Sequence, residues 1–339
     1  MSETPGLDLG ELRGWLDSTH PGLRTGALTA TVIAGGKSNL TYRVSDGTTT
    51  WALRRPPLGH ALPTAHDMTR EFTVISALCD TDVPVATPIV LCQDPEVLGA
   101  PFYLMSFIDG VVLDQPETLA TLDHATARRS CEQLVDTLLA LHALEPASIG
   151  LAEFGRPEGF LARQLKRWRT QWESSETETQ PVLPELISRL TDTLPEQTPP
   201  GIVHGDYRLT NVMYTPDVSR IAAVVDWEMA TIGDPLADVG LLVVYQSLTN
   251  SGGFTMPHAD AAEGFLTPDA MVQRYAAGST RDLSHLDWYI GFGYFKLAVI
   301  AQGIHYRFLQ GHTVGTGFDT FGTWVPLLLN SALEALDHP

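Results

Sequence analysis

Strand-like apolar runs and turns fill the first hundred positions around one helical repeat, and beyond them a repeat of three to four residues dominates. Alternation places successive side chains on opposite faces of a strand, whereas the longer repeat lines one face of a helix. Residues 28–34 read as a strand that Gly35-Gly36-Lys37-Ser38-Asn39 interrupts and 40–44 resumes. Asp46-Gly47 is a hairpin signal, and 50–54 forms the next strand. Pro56-Pro57 breaks the chain before a helical pattern over 64–78, where Met68, Phe72, Ile75 and Leu78 share a face. Strands follow at 88–92 and 102–107, closing at Asp109-Gly110.

Beyond that point the periodicity predicts helices at 119–144, 160–172, 236–245, 268–277, 283–309 and 318–336. Residues 174–180 are acidic and polar, which marks an exposed loop, and glycine-rich 311–317 separates the last two helices. The pattern therefore predicts an α+β molecule with a β-rich first part, containing one helix, and a mostly helical second part.

Composition narrows the function. An apolar content of 44% in 339 residues supports a sizeable core. A net charge of −19 opposes binding to nucleic acid and to anionic membrane surfaces. Cys79, Cys92 and Cys131 are odd in number and scattered through apolar stretches, as buried thiols of a reducing compartment would be. The N-terminus lacks the basic and apolar regions of a signal peptide. Residues 288–308 are apolar, but Lys296, Gln302, His305 and Arg307 mark a buried helix there, not a membrane span. The expectation is a soluble, cytoplasmic protein with no membrane insertion. Its oligomeric state is not legible in the sequence.

The chemistry lies at 203–226. His204-Gly205-Asp206 is followed by Asn211, five positions after the aspartate, and Asp226 closes the β-rich run 221–225. Phosphoryl transfer needs a carboxylate that orients the attacking hydroxyl and takes its proton. It also needs an amide oxygen and a second carboxylate for magnesium. One short hairpin supplies all three. As a turn alone, His-Gly-Asp would be ordinary, but the asparagine, strand and closing aspartate make coincidence unconvincing.

The motif resembles the protein-kinase catalytic loop, H-R-D-x-x-x-x-N followed by a metal-binding aspartate. Glycine replaces the arginine here, and the closing triplet reads Asp226-Trp227-Glu228. In that form it is similar to the aminoglycoside phosphotransferase and choline kinase superfamily, small-molecule kinases with the protein-kinase-like fold. The resemblance implies a nucleotide-binding lobe over 1–107, a hinge at 108–110, and a helical lobe over 111–339 with the catalytic loop at 203–226. It implies ATP and Mg2+ as cofactors and a small hydroxyl-bearing molecule as substrate.

Further assignments follow from the resemblance. The loop 35–39 becomes the phosphate-positioning loop, with Ser38 at a phosphate. Trp51-Ala52-Leu53-Arg54 stands where kinases carry V-A-I-K, so Arg54 would grip phosphates and Glu71 on the next helix would orient it. Strand alternation points the fallback, Arg55, to the other face. The backbones of Ser106 and Ile108 would meet the adenine edge. Asp206 is the expected catalytic base, Arg208 a cation near the transferred phosphate, and Asn211 and Asp226 the metal ligands. His204 is expected to bond the loop backbone. Asp234 and Asp238 are expected to brace that loop and cap the helix near Pro235. Glu228 stays open as a contributor to the metal site.

The resemblance is nearest to kinase-like domains related to those fused to some acyl-CoA dehydrogenases, through Leu53-Arg-Arg-Pro-Pro57, Arg70-Glu-Phe72, the catalytic loop, Asp226–Pro235 and Phe295–Arg307. That subgroup implies a hydroxyl on an acyl chain, such as a hydroxyacyl thioester, as acceptor. Two other readings stand beside it. An antibiotic kinase would need clustered carboxylates, and Asp260, Glu263 and Asp269 are sparse. A nucleotide-binding pseudokinase or regulator of lipid metabolism fits the missing lysine at position 54 but not the intact Asp206, Asn211 and Asp226.

Overall fold

A computed structural model describes residues 4–33, 39–58, 66–249, 264–313 and 317–337. The chain divides into two compact units that exchange short segments. The first comprises 1–111, 212–217 and 221–230; the second comprises 112–211, 218–220 and 231–339.

The first unit is built on β1 (Thr29–Val32), β2 (Leu40–Ser45), β3 (Thr50–Arg55), β4 (Pro88–Cys92) and β5 (Phe102–Ser106). They form an antiparallel sheet in the order β1-β2-β3-β5-β4. Tyr42, Val44, Trp51, Leu53, Phe102 and Leu104 pack with Leu12 and Leu16 of helix α1 (Leu9–Thr19). The pattern reading did not mark this helix, although Asp8 caps it by accepting from Gly10 N and Glu11 N. Helix α2 (Met68–Leu78) follows, capped by Asp67. A single turn, α3 (Pro95–Leu98), joins β4 to β5, and β7 (Val212–Tyr214) pairs with β8 (Ile221–Val224).

The second unit is mostly helical: α4 (Pro116–Leu119), α5 (His124–Ala143), α6 (Phe160–Ser175), α7 (Leu183–Asp192), α8 (Leu236–Thr249), α9 (Pro268–Gly278), α10 (Leu286–Leu309) and α11 (Phe321–Asp337). Its one two-stranded ladder among the described residues joins β6 (Gly201–Val203) to β9 (Thr231–Gly233). Helix α10 packs against α6, α8 and α11, burying Phe292, Phe295, Ala298 and Val299. A small residue permits a close crossing: a Cβ at Gly240 of α8 would come within 2.6 Å of the Tyr289 backbone on α10.

Three expectations need correction. The long helix expected from residue 119 starts at His124, because Asp123 caps it by accepting from Thr126 N. Residues 174 and 175 belong to α6, and α7 follows where no helix was read. Cys79 is exposed at the end of α2, while Cys92 and Cys131 are buried. No helix among the described residues is long and apolar enough to cross a membrane.

Candidate active site

In the first unit, alternation along β3 turns Arg54 away from the Leu53 face, towards α2. Arg54 Nε lies 2.6 Å from Glu71 Oε2, and its Nη2 donates to Asp226 Oδ1 at 2.7 Å. Glu71 is 1% exposed. It also accepts from Tyr103 Oη at 3.0 Å and from Asn39 Nδ2 at 2.9 Å. The same Asn39 amide reaches Glu228 Oε2 at 3.2 Å. Arg55, on the opposite face, donates instead to the carbonyls of Gly6 and Leu98. Arg70 donates to Ala230 O.

This constellation mixes burial with charge. Burial opposes the charge on Arg54, but the carboxylates of Glu71, Asp226 and Glu228 outweigh it and hold the guanidinium above its ordinary range. Burial raises Glu71, with Arg54 and the Tyr103 hydroxyl pulling the other way. Asp226 itself sits at φ 66°, a left-handed conformation uncommon for aspartate, and precedes the turn at Trp227–Met229 without a side-chain capping bond. Its carboxylate is 30% exposed.

In the second unit the stretch from His204 to Asn211 is held by a network of hydrogen bonds. Asp238 Oδ2 accepts from His204 N at 2.6 Å, and its Oδ1 accepts from Gly205 N at 2.8 Å. His204 Nδ1 accepts from Asp206 N at 3.2 Å. The Asp206 carboxylate accepts from Tyr245 Oη at 2.7 Å and Asn211 Nδ2 at 2.9 Å, and Arg208 Nε lies 3.4 Å away. The Arg208 guanidinium stacks 5.0 Å from the centre of the Tyr245 ring. Asp234 caps α8 through Leu236 N and accepts from Thr198 and Tyr289. His204 and Asp238 therefore brace the loop, and Asp234 caps the helix.

The remaining expected residues are placed as follows. Ser106 lies at the end of β5, where its N–H donates to Thr87 O and its Oγ accepts from Thr87 N. Ile108 follows in the irregular segment before Val111, which pairs with Tyr214. Ser38 and Lys37 lie outside the described residues, as do Asp260 and Glu263. Asp269 is exposed at the first turn of α9. Arg54, Glu71 and Asp226 are brought together in one unit, and Asp206, Arg208 and Asn211 in the other. Sequence reasoning did not single out Tyr103, Asn39 or Tyr245. The only available signal was polar atoms in otherwise apolar or glycine-rich surroundings.

In the second unit Asn211 directs Nδ2 to the Asp206 backbone and carboxylate, which leaves its amide oxygen, a donor for hard cations, turned the other way. In the first unit the Asp226 carboxylate is a donor of the same chemical kind. A guanidinium already rests on Asp226, so the position tolerates positive charge. Among the described residues no cluster of three or more His, Cys, Asp or Glu could hold a metal unaided.

Comparison with known proteins fits this chemistry. Residues 29–276 match the model of the phosphotransferase enzyme family. The chain is 32% identical over 304 residues to acyl-CoA dehydrogenase family member 10 of Mus musculus, covering 88% of this chain but only 28% of that protein. A provisionally assigned aminoglycoside phosphotransferase from Ralstonia eutropha superposes with a TM-score of 0.84 at 29% identity, over 97% of this chain and 98% of the other. A choline/ethanolamine kinase family protein from Mesorhizobium loti shares the fold, with a TM-score of 0.57 at 20% identity over 97% and 95% of the two chains. A family match across most of the sequence and a likeness along its whole length lead to one assignment. The chain has the protein-kinase-like α+β fold and belongs to the phosphotransferase enzyme family.

Proposed function

We propose that this protein is an ATP- and magnesium-dependent kinase that transfers the γ-phosphate to the hydroxyl of a small molecule. The observation that carries the reading is the Asp206 carboxylate, held from three sides by Tyr245, Asn211 and Arg208. A carboxylate so restrained costs little reorganisation when it accepts a proton. Asp206 orients the acceptor hydroxyl and takes its proton as the oxygen attacks the γ-phosphorus and the bond from that phosphorus to the bridging oxygen breaks, releasing ADP. Arg208 stands beside the charge that develops. Arg54, oriented by Glu71, binds phosphate oxygens with its planar fork. Asn211 and Asp226 each offer an oxygen to magnesium, which when bound neutralises phosphate charge. Ser38 takes a phosphate and the backbones of Ser106 and Ile108 take the adenine. On this reading 1–107 is the nucleotide lobe, 108–110 the hinge and 111–339 the helical lobe.

For the acceptor we favour a hydroxyl on an acyl chain, such as a hydroxyacyl thioester. Support comes from the cations and aromatic rings around Asp206: Arg208 over Tyr245, and Lys296 5.5 Å from the centre of the Trp168 ring. A polycationic antibiotic would gain nothing from such neighbours. The name of the mouse relative points the same way. The test combines binding and transfer. Mg-ATP should raise the melting temperature of the wild type and of Asp206→Ala, but not of Asp226→Ala. Asp206→Ala should lose about 100- to 10,000-fold in turnover, as removal of a general base does. Transfer from labelled ATP is then screened against hydroxyacyl thioesters and aminoglycosides in parallel. Absence of any Mg-ATP binding would sink the kinase reading, and transfer only to aminoglycosides would replace the acceptor class.

A further inference from the structure

Helix α10 is apolar along most of its length, yet it carries Lys296 near its middle. Lysine is scarce in this protein: Lys37, Lys166 and Lys296 are three of its 21 basic side chains, and the rest are arginine. A compact ammonium, not a planar fork, suits what surrounds position 296. Its Nζ donates to Gly205 O at 2.6 Å and lies over the buried ring of Trp168.

Gly205 is the residue immediately before Asp206. Its φ of 87° belongs to the left-handed region, which glycine adopts without steric cost. Its N–H is held by Asp238 and its carbonyl by Lys296. The peptide unit between Gly205 and Asp206 therefore has one carbonyl, and a side chain from α10 fixes it. Rotation of that unit would swing the Asp206 Cα–Cβ bond.

We propose that Lys296 is a positioning residue for phosphoryl transfer: its ammonium clamps the Gly205 carbonyl and thereby sets the direction in which Asp206 presents its carboxylate to the acceptor. The proposal rests on the kinase reading given above. The charged groups facing Lys296 are Asp206 and Arg208 on the loop, Asp238 on α8 and Arg167 on α6. Burial pulls the lysine below its ordinary pKa, and the two carboxylates restrain that fall. Raising the pH through the lowered value removes the proton, and the clamp loses its charge. An arginine at the same place stays protonated throughout.

A packing role makes a different prediction. Methionine is of similar length, unbranched and at home in an apolar helix, so it would satisfy packing alone.

The experiment compares the wild type with Lys296→Met and Lys296→Arg in the full chain. Turnover is followed as Mg-ATP plus water giving ADP, phosphate and a proton, with water as the acceptor. Nucleotide binding is measured separately by calorimetry. Lys296→Met should lower kcat about 100-fold, the loss that a misplaced catalytic group produces, with the Kd for Mg-ATP and the melting temperature preserved. Lys296→Arg should recover part of kcat and carry activity to higher pH than the wild type. In protein labelled at the lysine ε-carbons, the Lys296 resonance, assigned by its absence from Lys296→Met, should titrate below the ordinary lysine value. Wild-type kcat in Lys296→Met, a loss that follows a lower melting temperature, or an unshifted alkaline limb in Lys296→Arg would each overturn the proposal. A wild type that binds Mg-ATP but transfers phosphate to no acceptor fails the kinase reading instead, and the proposal falls with it.

Discussion

Arg54 answers two carboxylates with two different nitrogens, Nε to Glu71 and Nη2 to Asp226. A lysine has one head on a flexible stem and cannot keep both contacts in the same geometry. Arg54→Lys should therefore weaken Mg-ATP binding about tenfold and Arg54→Met about a hundredfold, in line with one or two charge-assisted hydrogen bonds. Calorimetry reads both, and wild-type affinity in Arg54→Met would remove Arg54 from the nucleotide site. Glu71→Ala has a second consequence, because it leaves a guanidinium only 14% exposed with one fewer partner. Urea denaturation should show a loss of about 3 kcal/mol, the scale for breaking a buried ion pair. At this scale the sequence was informative where residues lie within one motif or on predicted strands. Asp206, Asn211 and Asp226 could be named from their spacing, and Arg54 and Glu71 from the resemblance to the kinase strand and helix, with strand alternation setting Arg55 aside. Tyr103 and Asn39 each reach Glu71 across 32 positions, and Tyr245 reaches Asp206 across 39. No local pattern encodes such distances.

Elements hold the site through a few polar ties and close crossings. His142 of α5 lies 3.4 Å from Asp238 of α8 through Nε2 and 2.8 Å from Tyr275 Oη of α9 through Nδ1. Burial depresses the His142 pKa. The unfolded chain takes up a proton near the ordinary histidine value of about 6.5, so below that pH it binds a proton the folded chain resists. Stability contributed by neutral His142 is complete above that value and lost as pH falls towards the depressed one. Asp238 is held below the usual carboxylate range: burial alone would raise it, but the His142 contact and the Gly205 N–H outweigh that. Its contribution persists until more acidic conditions. The melting temperature should drop between pH 7 and pH 5 and drop less steeply in His142→Gln; parallel slopes would remove His142 from the account. A geometric tie is tested at Gly240→Ala, which thrusts a Cβ into the Tyr289 backbone on α10. Overpacking of this kind costs about 1–3 kcal/mol, and Mg-ATP affinity should stay as it was. Helices α5 and α10 were legible because their patterns persist over 20 and 24 residues. Helices α1 and α7 are short, at 11 and 10 residues, and each offers only two buried leucines, Leu12 with Leu16 and Leu186 with Leu190, from which a repeat could be read.

For the molecule as a whole, a net charge of −19 acts on every charged ligand before any specific contact does. A field of that sign draws polycations towards the surface and repels anions, with a range that shrinks from about 30 Å at 0.01 M salt to about 8 Å at physiological salt. Aminoglycoside binding observed at low salt would thus carry little information about the acceptor site. The local surroundings of Asp206 have the opposite character, since Arg208 and Lys296 face it in a predominantly acidic protein. The two effects separate with ionic strength, because surface attraction is screened and partly buried contacts are screened far less. Any thermal shift produced by an aminoglycoside should vanish between 0.02 M and 0.3 M KCl, unaccompanied by phosphate transfer. The KM for an anionic acceptor should fall, or hold, over the same range as long-range repulsion is screened. Aminoglycoside phosphorylation that survives 0.3 M KCl would show that specific carboxylate contacts, not the field, bind the acceptor. The acceptor class argued above would then have to change.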